Sequence, residues 1–346
     1  MERYDIIGAE KSSGRIIIRS LSLPLLLFIL LLFSKQTEAQ SNILSDLNSP
    51  IIFKGNDSIA YRDPAILFHK DVFHLFYTLV RSENGLIYSY TACSTSKDLK
   101  HWSPAKIITA KDQNLNFSSP GNIIRFKDEW ILNLQTYPRP GLGVKDKTTY
   151  GSADARIFIM RSKDLENWSA PELLKVKGAD VKEADMGRMI DPYIVEDKDE
   201  KGKWWCFYKQ NGVSMSYTYD FKNWTFCCHT ESGENVTVLT ENNAYILFHS
   251  PHNGIAIKRS TDLKHWKDWG DLVVLGQRQW NWAKGRISAG TVVNLTENPT
   301  IGKYLMFFHG SGPRTEQEGD FDKNASLGIA WSDDLLHWDW PGKAAK

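Results

Sequence analysis

Cysteine is scarce in this 346-residue chain, with four residues at positions 93, 206, 227 and 228. Their spacing matches no metal site, and they are too few to staple a chain of this length. One pairing stays open, because Cys206 and Cys228 fall on what read as neighbouring strands of one unit. An excess of charge of either sign is also missing. Lys and Arg number 42 against 41 Asp and Glu, a net charge of +1. That balance gives no bias toward nucleic acid or acidic surfaces, and no basic cluster stands out. No amphipathic helical period of useful length occurs. Long apolar runs are lacking too, with one exception near the N-terminus.

That exception is Leu21 to Phe33, preceded by Arg15 and Arg19 and followed by Lys35-Gln-Thr-Glu-Ala39. A basic lead, a short apolar run and a small-residue end read as a secretory signal with a long n-region. The run falls short of the roughly 20 apolar residues that a membrane span requires. Taking in Ile16 to Ile18 lengthens it but encloses Arg19, so an uncleaved anchor is the lesser reading. Residues 1–39 are therefore expected to be a signal peptide, and 40–346 one large domain, secreted or periplasmic, with no stable membrane insertion.

What the chain has in plenty is a repeat. Ser96-Lys-Asp-Leu-Lys-His-Trp102 recurs as Ser162 to Trp168, Thr218 to Trp224, Ser260 to Trp266 and Ser332 to Trp338. Each copy holds Asp, then Leu or Phe, then Trp four residues after the Asp. A repeat with one Trp per unit and variable insertions points to a propeller, and five copies to five blades. The Asp is suited to accept backbone N–H groups of a turn, and the Leu and Trp to pack on a neighbouring sheet. The strand pattern repeats in step. Asp63 to Tyr77, Pro120 to Leu134, Asp191 to Tyr208, Glu234 to Phe248 and Ser288 to Phe308 each read as an inner strand followed by an apolar second strand. The expected fold is an all-β, five-bladed β-propeller, with Pro50 to Phe53 left over to close the ring.

Inner strands of a propeller converge on its axis, and three of these five open on a carboxylate: Asp63, Asp191 and Glu234. Asp-Pro at a strand start has a structural reading, since Asp caps turns and Pro fits a strand's first residue. Two Asp-Pro pairs and a Glu in one repeat register point instead to acid–base work, because like charges raise one another's pKa and are costly to gather. Long insertions are further places for function. Among them, Gln277 to Arg286 brings Trp280 and Trp282 close to Arg286. These three are expected to border the cavity mouth, with the indoles offered to a sugar.

Tyr61-Arg-Asp-Pro-Ala-Ile66, Met189-Ile-Asp-Pro-Tyr193 and Gly233-Glu-Asn-Val-Thr-Val238, interleaved with the Asp-Leu-x-x-Trp units, resemble the five-bladed propeller glycoside hydrolases. Families 43 and 117 are nearest, and families 32, 68 and 130 more distant. The resemblance spans roughly residues 50 to 340 and implies cleavage of glycosidic bonds in plant or algal oligo- or polysaccharides, with inversion. It maps Asp63 to the general base, Glu234 to the acid and Asp191 to the residue that keeps Glu234 protonated. Arg62, Trp280, Trp282, Arg286 and His252 become candidate substrate contacts. No cofactor is required, although some relatives carry a structural Ca²⁺ at the propeller centre. The chain departs from the pattern at Asn235-Val236, where a small residue and Pro usually follow the acid. Family 117 uses a His near that point, so His229, His249 and His252 are rivals, with Glu183 and Asp185 further candidates. Two other readings remain: a retaining, family 32-like glycosidase and a non-catalytic carbohydrate-binding propeller. A sialidase is set aside because its repeats carry a Gly absent here and because no arginine cluster is evident. A phosphorylase is disfavoured since no basic group beyond Arg62, Arg188 and Arg286 awaits phosphate.

Overall fold

The computed structural model of the protein describes residues 42–146, 151–313 and 324–343, so the signal segment expected over residues 1–39 lies outside it. The first strand, β1 (Ile51–Phe53), precedes four complete sheets. Blade one is β2 (Ile59–His69), β3 (Val72–Glu83), β4 (Leu86–Ser96) and β5 (Lys106–Ile107). Blade two is β6 (Ile123–Phe126), β7 (Glu129–Gln135), β8 (Ile157–Ser162) and β9 (Glu172–Leu173). Blade three is β10 (Ile190–Glu196), β11 (Trp204–Lys209), β12 (Val213–Thr218) and β13 (Thr225–Thr230). Blade four is β14 (Glu234–Glu241), β15 (Ala244–Ser250), β16 (Ala256–Ser260) and β17 (Lys267–Asp268). Each is an antiparallel meander with its strands in sequence order.

Blade five is built from both ends of the described chain. It holds β18 (Arg286–Leu295), β19 (Lys303–Ser311) and β20 (Ser326–Ser332), and both β1 and β21 (Trp338–Asp339) pair with β20. Ile51 lies opposite Gly328 and Phe53 opposite Leu327. The ring is thus closed as the leftover segment suggested, and closure removes an exposed sheet edge. The fold is a five-bladed β-propeller. Apolar side chains fill every seam: Phe76 against Leu132 between blades one and two, Ile131 with Tyr208 between two and three, and Phe207 with Leu247 between three and four. Phe248 with Phe308 fills the next, and Leu75 with Phe307 the last. Burying a large apolar side chain contributes about 1.5–3 kcal/mol, which gives these seams most of their hold.

The repeated unit is a turn that ends each third strand. Asp262 Oδ1 accepts the N–H groups of Lys264 at 2.9 Å and His265 at 2.8 Å. Ser260 Oγ accepts the N–H of Leu263 at 2.9 Å, and Trp266 Nε1 donates to the Leu263 carbonyl at 3.0 Å. The residue before the Trp, always His or Asn, donates to the other Asp oxygen, as His265 Nδ1 does at 2.7 Å. Leu99, Leu165, Phe221, Leu263 and Leu335 all take a positive φ between 60° and 69°, a strained choice that the surrounding bonds hold in place. Trp224 departs from the set: its indole N–H is buried without a partner.

The disulfide left open by the sequence is not formed. Strand β12 runs between β11, which carries Cys206, and β13, which carries Cys228, and all four cysteines are free thiols. Among the described residues, no helix is long and apolar enough to cross a membrane.

These turns make stability depend on acid. The hydrogen bond from His265, followed by the backbone bonds, holds the Asp262 carboxyl well below its ordinary value of 3.8, and backbone bonds lead the same effect at Asp164 and Asp220. A lowered folded-state pKa contributes stability that is present above the unfolded value and lost as pH falls toward the folded one. Asp262→Asn keeps an acceptor for the two N–H groups but cannot titrate. Thermal melts from pH 5 down to pH 2 should show a shallower acid-side decline for this variant than for the wild type. An unchanged slope removes Asp262 from the role.

Candidate active site

Five residues, four within the inner strands and one just before β6, lie in the left-handed region: Asp63 (φ 47°), Ser119 (φ 41°), Asp191 (φ 53°), Asn235 (φ 52°) and Ala289 (φ 54°). A bulge follows in each case, for the ladder shifts between Arg62 and Ala65, Ile190 and Tyr193, Glu234 and Thr237, and Ser288 and Thr291. In blade two, the isolated bridge Ser118–Gln135 marks the same point. Such bulges re-aim side chains, here toward the axis. They also correct one expectation. Asn235, not Glu234, occupies the register of Asp63 and Asp191. Glu234 stands one step earlier, in the position of Arg62 and Ile190.

The amide of each left-handed residue is received by a side chain on the preceding blade. Thr78 Oγ1 accepts from Ser119 at 2.7 Å, Gln135 Oε1 from Asp191 at 2.6 Å, Ser250 Oγ from Ala289 at 2.9 Å, and His309 Nδ1 from Asp63 at 3.1 Å. All four acceptors sit at one register of a second strand, opposite the residue before the left-handed one on their own blade. Blade three has Lys209 at that register, opposite Ile190, and an ammonium cannot accept. Asp191 Oδ2 takes the Asn235 amide instead, at 3.2 Å. Because His309 Nδ1 accepts an N–H, it carries no proton, and its 3.5 Å approach to Asp63 Oδ1 is no ion pair. Thr78 donates its own hydroxyl to Asp63 Oδ2 at 2.9 Å.

Above this ring opens a cavity of about 370 Å³ lined by Asp63, Asp191, Glu234, Arg62, Arg286 and His252. Six of the eight residues singled out from the sequence therefore meet in one place. Arg286 Nη2 donates to Glu234 Oε1 at 2.8 Å, and the Glu234 side chain is 35% exposed against 8% for Asp63. Asp191 is as deeply buried as Asp63. Burial first, then the charges of Glu234 and Asp63, push its carboxyl up to about 7, while the Asn235 amide and Arg188 act in the opposite direction. Asp191 therefore holds its own proton into the neutral range.

Trp280 and Trp282 do not join them. Their rings stack at 5.3 Å, and Trp280 lies nearly parallel to Phe308 at 6.0 Å. Both pack on the core between blades four and five, in space left by Gly276, Gly310 and Gly328, where an added Cβ would come within 2.5–2.8 Å of an indole. The rivals for the acid thin out as well. His229 is exposed on the outer strand β13. His249 is buried, accepts the Gly233 amide at Nδ1 and is pushed down to about 4, first by burial. Glu183 and Asp185 lie in an exposed 3-10 turn at Glu183–Met186. Of all these, only His252 lines the cavity.

Sequence reasoning missed the basic residues. Arg139, from the blade-two insertion, and Lys209 join Arg62, Arg188 and Arg286 around the cavity, so the expected absence of a basic cluster is corrected. These side chains are spread over the sequence and converge only when the blades close. Among the described residues no group of three or more His, Cys, Asp or Glu is arranged to hold a metal ion. The axial space beneath the ring, about 20 Å³, offers only Asp63 and Asp191 as carboxylates. That donor set is poor for Ca²⁺, and no step below uses a metal.

Comparison with protein-family models and with curated proteins found no match. Solved structures of similar fold include an exo-1,5-α-L-arabinanase from a bovine ruminal metagenomic library. It is 17% identical, with a TM-score of 0.55, over 83% of this chain and 98% of that one. A thermostable family-43 glycoside hydrolase is 12% identical, with a TM-score of 0.57, over 84% and 96%. The catalytic domain of the Coprinopsis cinerea GH62 α-L-arabinofuranosidase is 15% identical, with a TM-score of 0.57, over 82% and 95%.

The raised carboxyl gives a test. A folded-state pKa above the unfolded value means stability that is full below about 3.8 and lost as pH rises through about 7. Asp191→Asn keeps an oxygen for the Asn235 amide and removes the charge. At pH 8 it should be more stable than the wild type, by roughly 2–4 kcal/mol, and the gain should vanish toward pH 4. Denaturant titrations at both pH values measure this; a loss of stability at pH 8 contradicts it.

Proposed function

We propose that the protein is an exported glycoside hydrolase that cleaves glycosidic bonds in plant or algal oligo- or polysaccharides by single displacement with inversion. The observation that carries this reading is the meeting of three carboxyls, from blades one, three and four, in one cavity with unequal access. Export rests on the basic and apolar leader before residue 40. A carbohydrate substrate accords with the arabinanase, arabinofuranosidase and family-43 hydrolase among the structures of similar fold.

Access and bonding assign the roles. Asp63 is nearly closed off and fixed by the Thr78 hydroxyl, which suits a base that deprotonates a single water. Glu234 is the most accessible carboxyl, and Arg286 orients it through Oε1. A proton donor must reach the glycosidic oxygen, so Glu234 is the acid. Asp191, raised to about 7 first by burial and then by the charges of Glu234 and Asp63, completes the set as a buried proton holder beside them. Inversion requires the two working carboxyls to stand roughly 6.5–9.5 Å apart, against about 5–5.5 Å for retention.

One observation favours a second reading. The Arg286–Glu234 pair at 2.8 Å would also serve a binding propeller whose Glu234 only anchors Arg286 beside a sugar hydroxyl. Variants separate the two. Glu234→Gln should lower turnover of a natural oligosaccharide by about 10²–10⁴-fold while sparing an aryl glycoside with a good leaving group, and Asp63→Asn should abolish both. The rate should also fall as pH rises past about 7, where Asp191 loses its proton. Equal losses on the two substrates for Glu234→Gln would move the acid role to His252. Sugar binding with no hydrolysis of any glycoside by the wild type would establish the binding propeller. NMR of the first-formed anomer reads inversion directly.

A further inference from the structure

Cations outnumber carboxylates five to three around the cavity among the described residues, although the whole chain carries a net charge of only +1. The question for each cation is which anion it meets, since a half-buried cation held away from any carboxylate is costly. Arg286 has Glu234. Arg188 and Lys209 differ from it. Neither forms an ion pair with a described carboxylate, and Nε of Arg188 is buried with no hydrogen-bond partner. Lys209 Nζ rests on a neutral acceptor, the Ser232 carbonyl, at 3.0 Å.

Both residues are held in place. Lys209 ends β11 opposite Ile190, and Arg188 stands two residues before Ile190, so they flank Asp191. The neighbouring Gln210 donates Nε2 to the carbonyls of Met186 at 3.1 Å and Arg188 at 2.9 Å, which pins the segment that carries the arginine. The Tyr137 ring supports the Arg188 guanidinium at 5.8 Å and that of Arg139 at 4.7 Å. The Tyr137 hydroxyl is fixed in turn by the Gly151 amide at 2.6 Å. A ring over the face of the Arg188 guanidinium leaves its in-plane N–H donors for a planar or tetrahedral oxyanion.

We propose that the bound glycan carries an anionic substituent, a carboxylate or a sulfate ester on the sugar, and that Arg188 and Lys209, with Arg139 beside them, hold it next to Asp191. This deepens the reading above and rests on its glycan-binding part, not on its chemistry. The charged group sets which sugar enters and in what orientation, since a guanidinium pairs bidentately with such an oxyanion and gains little from a neutral hydroxyl.

The test is calorimetric titration of the full chain with matched ligands: oligogalacturonides against their carboxyl-reduced forms, and sulfated galactan oligosaccharides against their desulfated forms. In at least one pair the charged member should bind about tenfold tighter or better, and the margin should shrink between 20 and 200 mM NaCl, salts chosen on the order of the screening range. Arg188→Gln and Lys209→Gln should each erase about tenfold of that margin, with Arg188→Lys recovering part of it. Equal affinity within both pairs for the wild type overturns the proposal without any variant. So does a variant that weakens both members alike. Binding of inorganic phosphate alone, with cleavage of neutral glycosides only in its presence, assigns the cations to free phosphate and also overturns it. Hydrolysis is read separately. Tight, charge-selective binding without cleavage keeps this inference and removes the hydrolase reading, whereas cleavage of neutral and charged substrates alike does the reverse.

Discussion

Each inner strand of the propeller carries, or in blade two is preceded by, a residue in the left-handed region, and the fold depends on how its amide is satisfied. Asp63, Ser119, Asp191, Asn235 and Ala289 all adopt this conformation at the axis, where a non-glycine residue is strained by about a kilocalorie or more. A buried amide without a partner adds a similar cost. The chain meets both by passing the bond to the next blade, so that Thr78, Gln135, Ser250 and His309 each hold the neighbour's strand start. The ring is therefore a set of contacts between blades, not within them. No blade can place its cavity residues alone.

The chemistry inherits this arrangement. Asp63 has its amide capped by His309 and its carboxyl held by Thr78, the residue that also caps Ser119. A carboxylate with both ends fixed would lose little entropy in the role proposed for Asp63. Asp191 is engaged twice over, through its amide to Gln135 and its carboxyl to Asn235. It can be enclosed without collapsing toward solvent, and that enclosure is what lifts its carboxyl to about 7. Glu234 stands outside the ring in register and keeps its exposure. Three acids near one axis are thereby given three environments, as acid–base division of labour requires.

The sequence disclosed the architecture because the repeat is stated locally. Ser-x-Asp-Leu-x-x-Trp is complete within seven residues, and every bond it makes, from Ser260 to Leu263 or from Trp266 to Leu263, closes inside that stretch. Blade number, strand order and ring closure follow from it. The site was legible only where it touched the same register, as at Asp63 and Asp191. A bulge adds one residue and re-aims the chain, so the step from Glu234 to Asn235 could not be settled by counting. The four capping acceptors are chemically unlike one another, although they share a register on the second strands; aligning the strand pairs was the signal that could have found them. Trp280 and Trp282 misled for the opposite reason. Their exposure was inferred from a loop, but glycines in three other segments make room for them in the core.

One substitution in the ring ties the cavity carboxyls to the basic side of the cavity. Four blades present an acceptor at the capping register, and blade three presents Lys209. The Asn235 amide then needs another acceptor, and Asp191 supplies it. An aspartate whose carboxyl is committed in this way stays put and buried. A lysine released from capping keeps its charge beside the cavity, with a carbonyl for its only described partner. The same change of residue thus fixes Asp191 in the place where its neighbours push it up and adds a cation next to Arg188. In a ring of equivalent amides, breaking the pattern at one blade is enough to make the cavity chemically asymmetric, and both the proton-holding carboxyl and the cationic wall lie at that break.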